Sequence, residues 1–307
     1  NIIINEAVLK TIKEPNLKII AERFAKYFLL QKRAVMVESW IEACDESNKV
    51  HGKVMTLRTV TGRMAHNSPN MAQVPATYSP YGKECRSLWT VSDTTKYKLV
   101  GTDASGLELR CLAHYLNDVS YTDEILNGDI HTKNMELAGI KNRDQAKTFI
   151  YAFLYGAGPD KIGKIVGAGK EQGKMLIKRF LSNLPALRRL REQVENAGRR
   201  GKIKAIDGRY LKVRNAHSAL NTLLQGAGAI ICKHWLLRIT HRVYNKKLDV
   251  KLVASVHDEY QFEVANKDVG EFCSITKIGI KETENLLKLR CPLDNDYKVG
   301  VTWAETH

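Results

Sequence analysis

Two aspartates, Asp103 and Asp258, each stand where an apolar, strand-like segment ends: residues 97–102 run into the first and residues 250–256 into the second. Carboxylates at the ends of neighbouring strands can meet even when they are far apart in the chain. Two divalent cations about 3.5–4 Å apart require such bridging acids, and together they stabilise both the attacking and the leaving oxygen in a displacement at phosphorus. Taken singly, each Asp also has an ordinary use, one as the cap of the next helix and one in a hairpin turn. Only their pairing makes a metal site.

A second constellation is cationic. Over residues 143–155, Arg143, Lys147 and Tyr151 recur every four positions and drift only about 40° per step around a helix. One face carries two cations and a ring, which suits a nucleoside triphosphate, while Phe149, Ile150, Phe153 and Leu154 turn inward. An amphipathic surface helix with a solvated basic side has the same pattern. Tyr155 and the glycines at 156 and 158 close this helix, where a base could stack and backbone could approach. His131 lies in Asp129-Ile130-His131-Thr132, a helix opening whose free N–H groups attract anions. His217, Asn221 and Gln225 form a polar stripe at four-residue spacing, and the N3 and O2 acceptors of a minor groove would satisfy it without reading sequence. Arg63 in Thr61-Gly62-Arg63 is a further groove donor.

These side chains need a scaffold. The chain has 307 residues, 44% hydrophobic and 26% charged, which is a globular composition. Lys plus Arg number 48 against 33 Asp plus Glu, and the net charge of +15 favours a polyanionic partner. The six cysteines include no CxxC pair, so neither a disulfide framework nor a zinc site is expected and a reducing compartment is. No apolar run reaches the length of about 18 residues that spans a bilayer, and no signal-peptide pattern opens the chain. The expected location is the cytoplasm, with no membrane role.

Periodicity predicts a long amphipathic helix over 17–44 that needs a packing partner, then loop and ribbon over 51–80. A strand at 97–102 and a helix at 106–115 follow, with further helices over 130–138, 143–155, 172–182 and 185–197. Residues 202–213 read as a hairpin around Asp207-Gly208, and 216–244 as a long helix. Two strands, 250–256 and 260–264, flank a turn at His257-Asp258-Glu259; a helix over 269–287 and a short tail end the chain.

Read together, these segments resemble the polymerase domain of family A (DNA polymerase I-like) DNA polymerases, and most of all the replicative polymerases of T-odd short-tailed phages. The likeness rests on Thr61-Gly62-Arg63, Pro69 to Pro75, Asp103-Ala104-Ser105-Gly106-Leu107-Glu108, Asn127 to Asn134, Lys147 to Tyr151, Ala219 to Gln225 and Val256-His257-Asp258-Glu259. It implies an α+β, right-hand fold. A partial thumb base would occupy 1–47, an antiparallel palm sheet 48–113 and 217–307, and helical fingers 114–216.

The same resemblance implies template-directed DNA synthesis from dNTPs. Asp103, Asp258 and the Ala104 carbonyl would hold two Mg²⁺ ions, with Mn²⁺ as a substitute. Arg143, Lys147 and His131 would grip the triphosphate, Lys147 as candidate proton donor to pyrophosphate. Glu108 would exclude a 2′-hydroxyl, and Tyr151 would leave its hydroxyl near the sugar 3′ position. His257 and Glu259 would lie near the primer end, Tyr155 and Gly158 beside the template base, and Arg63, Asn70, Gln73, Asn221 and Gln225 along the minor groove. No exonuclease motif is seen, so proofreading and processivity would come from a separate exonuclease or thumb polypeptide or a processivity factor, in the cytoplasm of a phage-infected bacterium.

Overall fold

The computed structural model describes residues 5–9 and 11–307. The strands among the described residues are β1 (Lys53–Met55), β2 (Ala65–Asn67), β3 (Tyr97–Ala104), β4 (Lys202–Lys204), β5 (Tyr210–Lys212), β6 (Val250–Val256), β7 (Glu259–Ala265) and β8 (Asn295–Gly300). The helices are α1 (Glu6–Leu9), α2 (Pro15–Glu42), α3 (Gly82–Ser87), α4 (Leu107–Leu116), α5 (Val119–Leu126), α6 (Ile130–Ala138), α7 (Arg143–Leu154), α8 (Pro159–Ile165), α9 (Lys170–Asn183), α10 (Pro185–Arg199), α11 (Ala219–Lys246) and α12 (Val269–Leu286). The class is α+β, as expected. Among the described residues no helix is long and apolar enough to cross a membrane.

The central sheet has the order β6-β7-β3-β8 and is antiparallel throughout. One face is covered by α11 and α12, where Trp235 meets Tyr260 at 5.4 Å and Phe262 meets Phe272 at 4.8 Å between ring centroids. Each such buried side chain contributes about 1.5–3 kcal/mol of transfer free energy. The other face buries Leu99, Val256 and Trp303 with Trp40 at the end of α2. A core on both sides explains why β7 is buried along its whole length.

Two departures from the periodicity reading matter for the site. The expected tail contains β8, whose exposed Asp296, Tyr297 and Lys298 hide the strand from any apolar pattern because it is an edge. Glu259 is the first residue of β7 rather than part of the turn. In addition, α3, α5 and α8 are short helices that the pattern does not reveal, and His217 belongs to a 3₁₀ turn over Ala216–Ser218 that precedes α11.

A second packed body is formed by α4 to α10 around Phe149, Phe153 and Phe180, with edge-on ring pairs at 5.2 and 5.5 Å. Helices α8 and α9 approach so closely that a Cβ on Gly173 would run into the Pro159 carbonyl, so only glycine fits. Helix α2 is unbroken, begun by Pro15 and capped by the Glu14 carboxylate, which accepts from Leu17 N at 2.7 Å. Along it only Ala21 and Trp40 are buried, while Leu17, Ile20, Phe24, Tyr27 and Val35 stay exposed. The segment expected as 1–47 includes residues 1–4 and 10, which lie outside the described residues.

Candidate active site

Register alone brings the two aspartates together. Asp103 lies opposite Glu259 on β7 and opposite Asp296 on β8. One residue further on, Ala104 N donates to the carbonyl of Asp258 at 3.2 Å and ties the end of β3 to the β6–β7 turn. That turn consists of His257 and Asp258, closed by the Val256–Glu259 pair, with His257 in the left-handed region at φ 57°.

Asp103 is exposed at the end of β3, but the protein around its carboxyl still partly buries it. That burial first, and then the charges of Asp258, Glu259 and Asp296, push it up to about 8. A carboxylate so placed calls for a cation. Asp103, Asp258 and the Ala104 carbonyl are hard oxygen donors. Among the described residues no three His, Cys, Asp or Glu side chains close into a cage, so the set is open. Mg²⁺ suits an open set, because it retains waters and accepts substrate phosphate oxygens.

Glu259 is occupied elsewhere. It is buried, accepts from Trp303 Nε1 at 2.6 Å, Gln261 Nε2 at 2.6 Å and His307 Nδ1 at 2.7 Å, and lies 3.8 Å from the guanidinium of buried Arg86. Burial would raise its pKa, but bonds from His307, Gln261 and Trp303 outweigh that and hold it below the usual carboxylate value. The structure thus places Glu259 under the last residues of the chain. His257, by contrast, is exposed at the turn.

A cleft of about 310 Å³ opens beside the acids, lined by Arg63, Glu108, Tyr155, Gln225, His257 and Asp258. Glu108 stands in the first turn of α4, and its Oε2 accepts from the Tyr155 hydroxyl at 2.8 Å. Its Oε1 is buried without a partner. Burial lifts its pKa, against the bond from Tyr155. Tyr151 on α7 is half-buried, and its hydroxyl is pushed up by burial and then by the charges of Glu108 and Asp258.

Helix α7 has the two faces its spacing predicts: Phe149, Ile150, Phe153 and Leu154 are buried, Arg143 and Lys147 exposed. Lys147 makes no ion pair among the described residues. Arg143 donates through Nε and Nη2 to Asp129, at 2.6 and 2.9 Å. The His131 ring lies 6.2 Å from that of Tyr151, and its Nδ1 is buried without a partner. Burial, then Arg143 and Lys147, hold the imidazole below its ordinary value. His131, Arg143, Lys147 and Tyr151 therefore form one cationic corner.

Of the remaining expected residues, Asn70, Gln73, Asn221 and Gly158 do not line the cleft. Asn70 caps a 3₁₀ turn by accepting from Ala72 N at 3.2 Å, and Gln73 ends that turn, exposed. Asn221 keeps a buried Oδ1 without a partner. Gly158 precedes α8, exposed, while the backbone of Gly156 lies against the His217 carbonyl.

Three features escape pattern reading: Asp296, buried Arg86, and a basic strip. In the strip Arg188, Arg189, Arg199, Arg200, Lys202, Lys204, Lys212 and Arg214 are exposed. The β4–β5 hairpin buries Ile203 and Leu211 and turns its lysines outward, with Lys202 Nζ 4.9 Å from the Tyr210 ring centroid. Leu211 packs on Gly226, next to cleft-lining Gln225. The run of basic residues after 185 was the signal available for it.

Residues 2–305 match DNA polymerase family A. The DNA-directed DNA polymerases of Enterobacteria phage T3 and Escherichia phage T7 are each 40% identical to this chain over 99% of its length, covering 49% of theirs. DNA polymerase I of Helicobacter pylori is 26% identical over 85% of the chain and 31% of its own length. The fold is shared with the POL domain of Pol1 from M. smegmatis, in complex with DNA primer-template and dNTP: the TM-score is 0.85 at 21% identity, over 98% of this chain and 55% of that one. The chain spans about half the length of its phage relatives.

Proposed function

The chain belongs to DNA polymerase family A, and on that premise we propose that it catalyses template-directed DNA synthesis by transfer of nucleotides from dNTPs to a primer 3′-hydroxyl. The observation that carries the reading is the register that sets Asp103 beside the Asp258 turn, at a cleft that Glu108 and Tyr155 also line. Asp103, Asp258 and the Ala104 carbonyl would hold two Mg²⁺ ions, or Mn²⁺ in their place. Bound metal supplies Lewis-acid activation of the hydroxyl and neutralises phosphate charge.

The chain's own residues do the rest. Arg143, Lys147 and His131 orient the triphosphate, and Lys147 donates a proton to the departing pyrophosphate. Glu108 bars a 2′-hydroxyl, Tyr151 packs beneath the sugar, and Tyr155 with Gly158 borders the template base. His257 approaches the primer end, and Arg63, Asn70, Gln73, Asn221 and Gln225 test the groove. Glu259 acts there indirectly, by fixing the start of β7. Residues 48–113 and 217–307 serve as palm, 114–216 as fingers and 1–47 as a partial thumb base. Processivity and proofreading come from a further polypeptide segment, for which the exposed apolar stripe of α2 is a surface.

Extension of a labelled primer on its template with Mg²⁺ and four dNTPs tests this reading. Wild type should extend, and Asp103→Asn and Asp258→Asn should not. Tight primer-template binding without extension would establish a DNA-binding module instead, and equal extension by all three would remove Asp103 and Asp258 from catalysis.

A further inference from the structure

Arg143 is committed before any nucleotide arrives. Both its Nε and Nη2 donate to the Asp129 carboxylate, the forked geometry a guanidinium would equally use on a phosphate. Asp129 does not depend on Arg143 for its place. It is the N-cap of α6, accepting from His131 N at 3.1 Å and from Thr132 Oγ1 at 2.8 Å, so it is fixed by a local turn. One residue into α6, the buried Nδ1 of His131 has no partner and shares the corner with Lys147.

From this geometry we propose that Asp129 is a competitor residue, whose carboxylate stands in for the terminal phosphate of the incoming nucleotide. Resting on the reading of Arg143 as a triphosphate ligand, the proposal adds a selection rule. Arg143 leaves Asp129 only for a group with more charge and the same fork geometry. A terminal phosphate carries nearly two charges against one, whereas a nucleotide whose phosphates stop short of Arg143 leaves the pair intact. Asp129 thereby lowers absolute affinity and enforces the need for a full triphosphate.

The pair is exposed, at 50% and 43%. An exposed fork of this kind is weakened by solvent screening, so its removal should change affinity only modestly, on the order of two- to fivefold. Asn and Ser cap helices as well as Asp does, so Asp129→Asn and Asp129→Ser should keep α6 by circular dichroism. Binding of a dNTP and of inorganic tripolyphosphate to the full chain would be measured by titration calorimetry, with the deoxynucleoside monophosphate as control.

Both variants should bind the two triphosphates two- to fivefold more tightly, leave monophosphate binding unchanged, and lose this gain in an Arg143→Ala background. Unchanged or weaker triphosphate binding would reduce Asp129 to a cap and overturn the proposal. A gain that persists without Arg143 would overturn it too, as a general charge effect. Arg143→Ala binding tripolyphosphate as well as wild type would instead refute Arg143 as a phosphate ligand.

Discussion

Replacing Asp103 with Asn should make the metal-free protein more stable while abolishing synthesis. In the folded chain Asp103 lies directly across from Glu259 on one side and from Asp296 on the other. Like charges in such cross-strand positions destabilise by about 0.2–1 kcal/mol per pair, so relieving two pairs is worth about 0.4–2 kcal/mol. Glu259 already has Trp303, Gln261 and His307 as partners, which places the expected gain near the middle of that span. For a protein of this size each kcal/mol moves the melting midpoint by about 2–4 °C. Thermal unfolding in EDTA above pH 8, where Asp103 is ionised, should show Asp103→Asn melting higher by roughly 2–5 °C. Adding Mg²⁺ should raise wild type and move the variant much less, because binding to the native state stabilises by mass action. A lower midpoint for the variant without metal, or an equal Mg²⁺ response, would refute the crowded-acid account.

Tyr151→Phe should preserve synthesis but discriminate more strongly against dideoxynucleotides, read as termination frequency in a primer-extension ladder. Reversing Lys202, Lys204 and Lys212 to Glu should weaken primer-template binding and flatten its dependence on salt, by about 0.7–0.9 in log–log slope per lost phosphate contact. Glu282 is held below the usual carboxylate value by its bond from Arg242, which joins α11 to α12. A depressed carboxylate contributes stability above its unfolded value of 4.5, lost as pH falls through the folded value. Unfolding free energies of wild type and Glu282→Gln from urea titration should therefore differ at pH 7, by up to about 1 kcal/mol, and converge once pH falls below the lowered folded value. Gly173→Ala should unfold α8 and α9 first, seen as faster amide exchange there, because the Pro159 carbonyl cannot give way to a methyl group.

Where sequence and structure agree, the physics is local. The faces of α7 follow from a 3.6-residue period over a long segment, and Asp103 and Asp258 follow from apolar runs that stop at an acid. Asp296 was invisible because it sits on an edge strand with little apolar content to repeat. Arg86 carries no local sign of burial; it is held between the Pro75 carbonyl, 2.9 Å from Nε, and the Trp303 ring, 4.3 Å away, contacts made across long stretches of chain. Glu259 looked like a turn acid because it adjoins His257-Asp258, and only pairing with Asp103 reveals it as strand.

The order of strands in the central sheet has a consequence for synthesis of the protein itself. The strand that ends in Asp103 lies second from one edge, yet both its neighbours are encoded more than 150 residues later. On the ribosome it must wait, unpaired and apolar, while every helix between it and its partners emerges. A nascent chain stopped before Trp303 would already hold both aspartates and still lack the cradle that seats Glu259 beside them. Translation speed over the segment that carries β7, β8 and Trp303, rather than over β3, should govern the yield of active molecules.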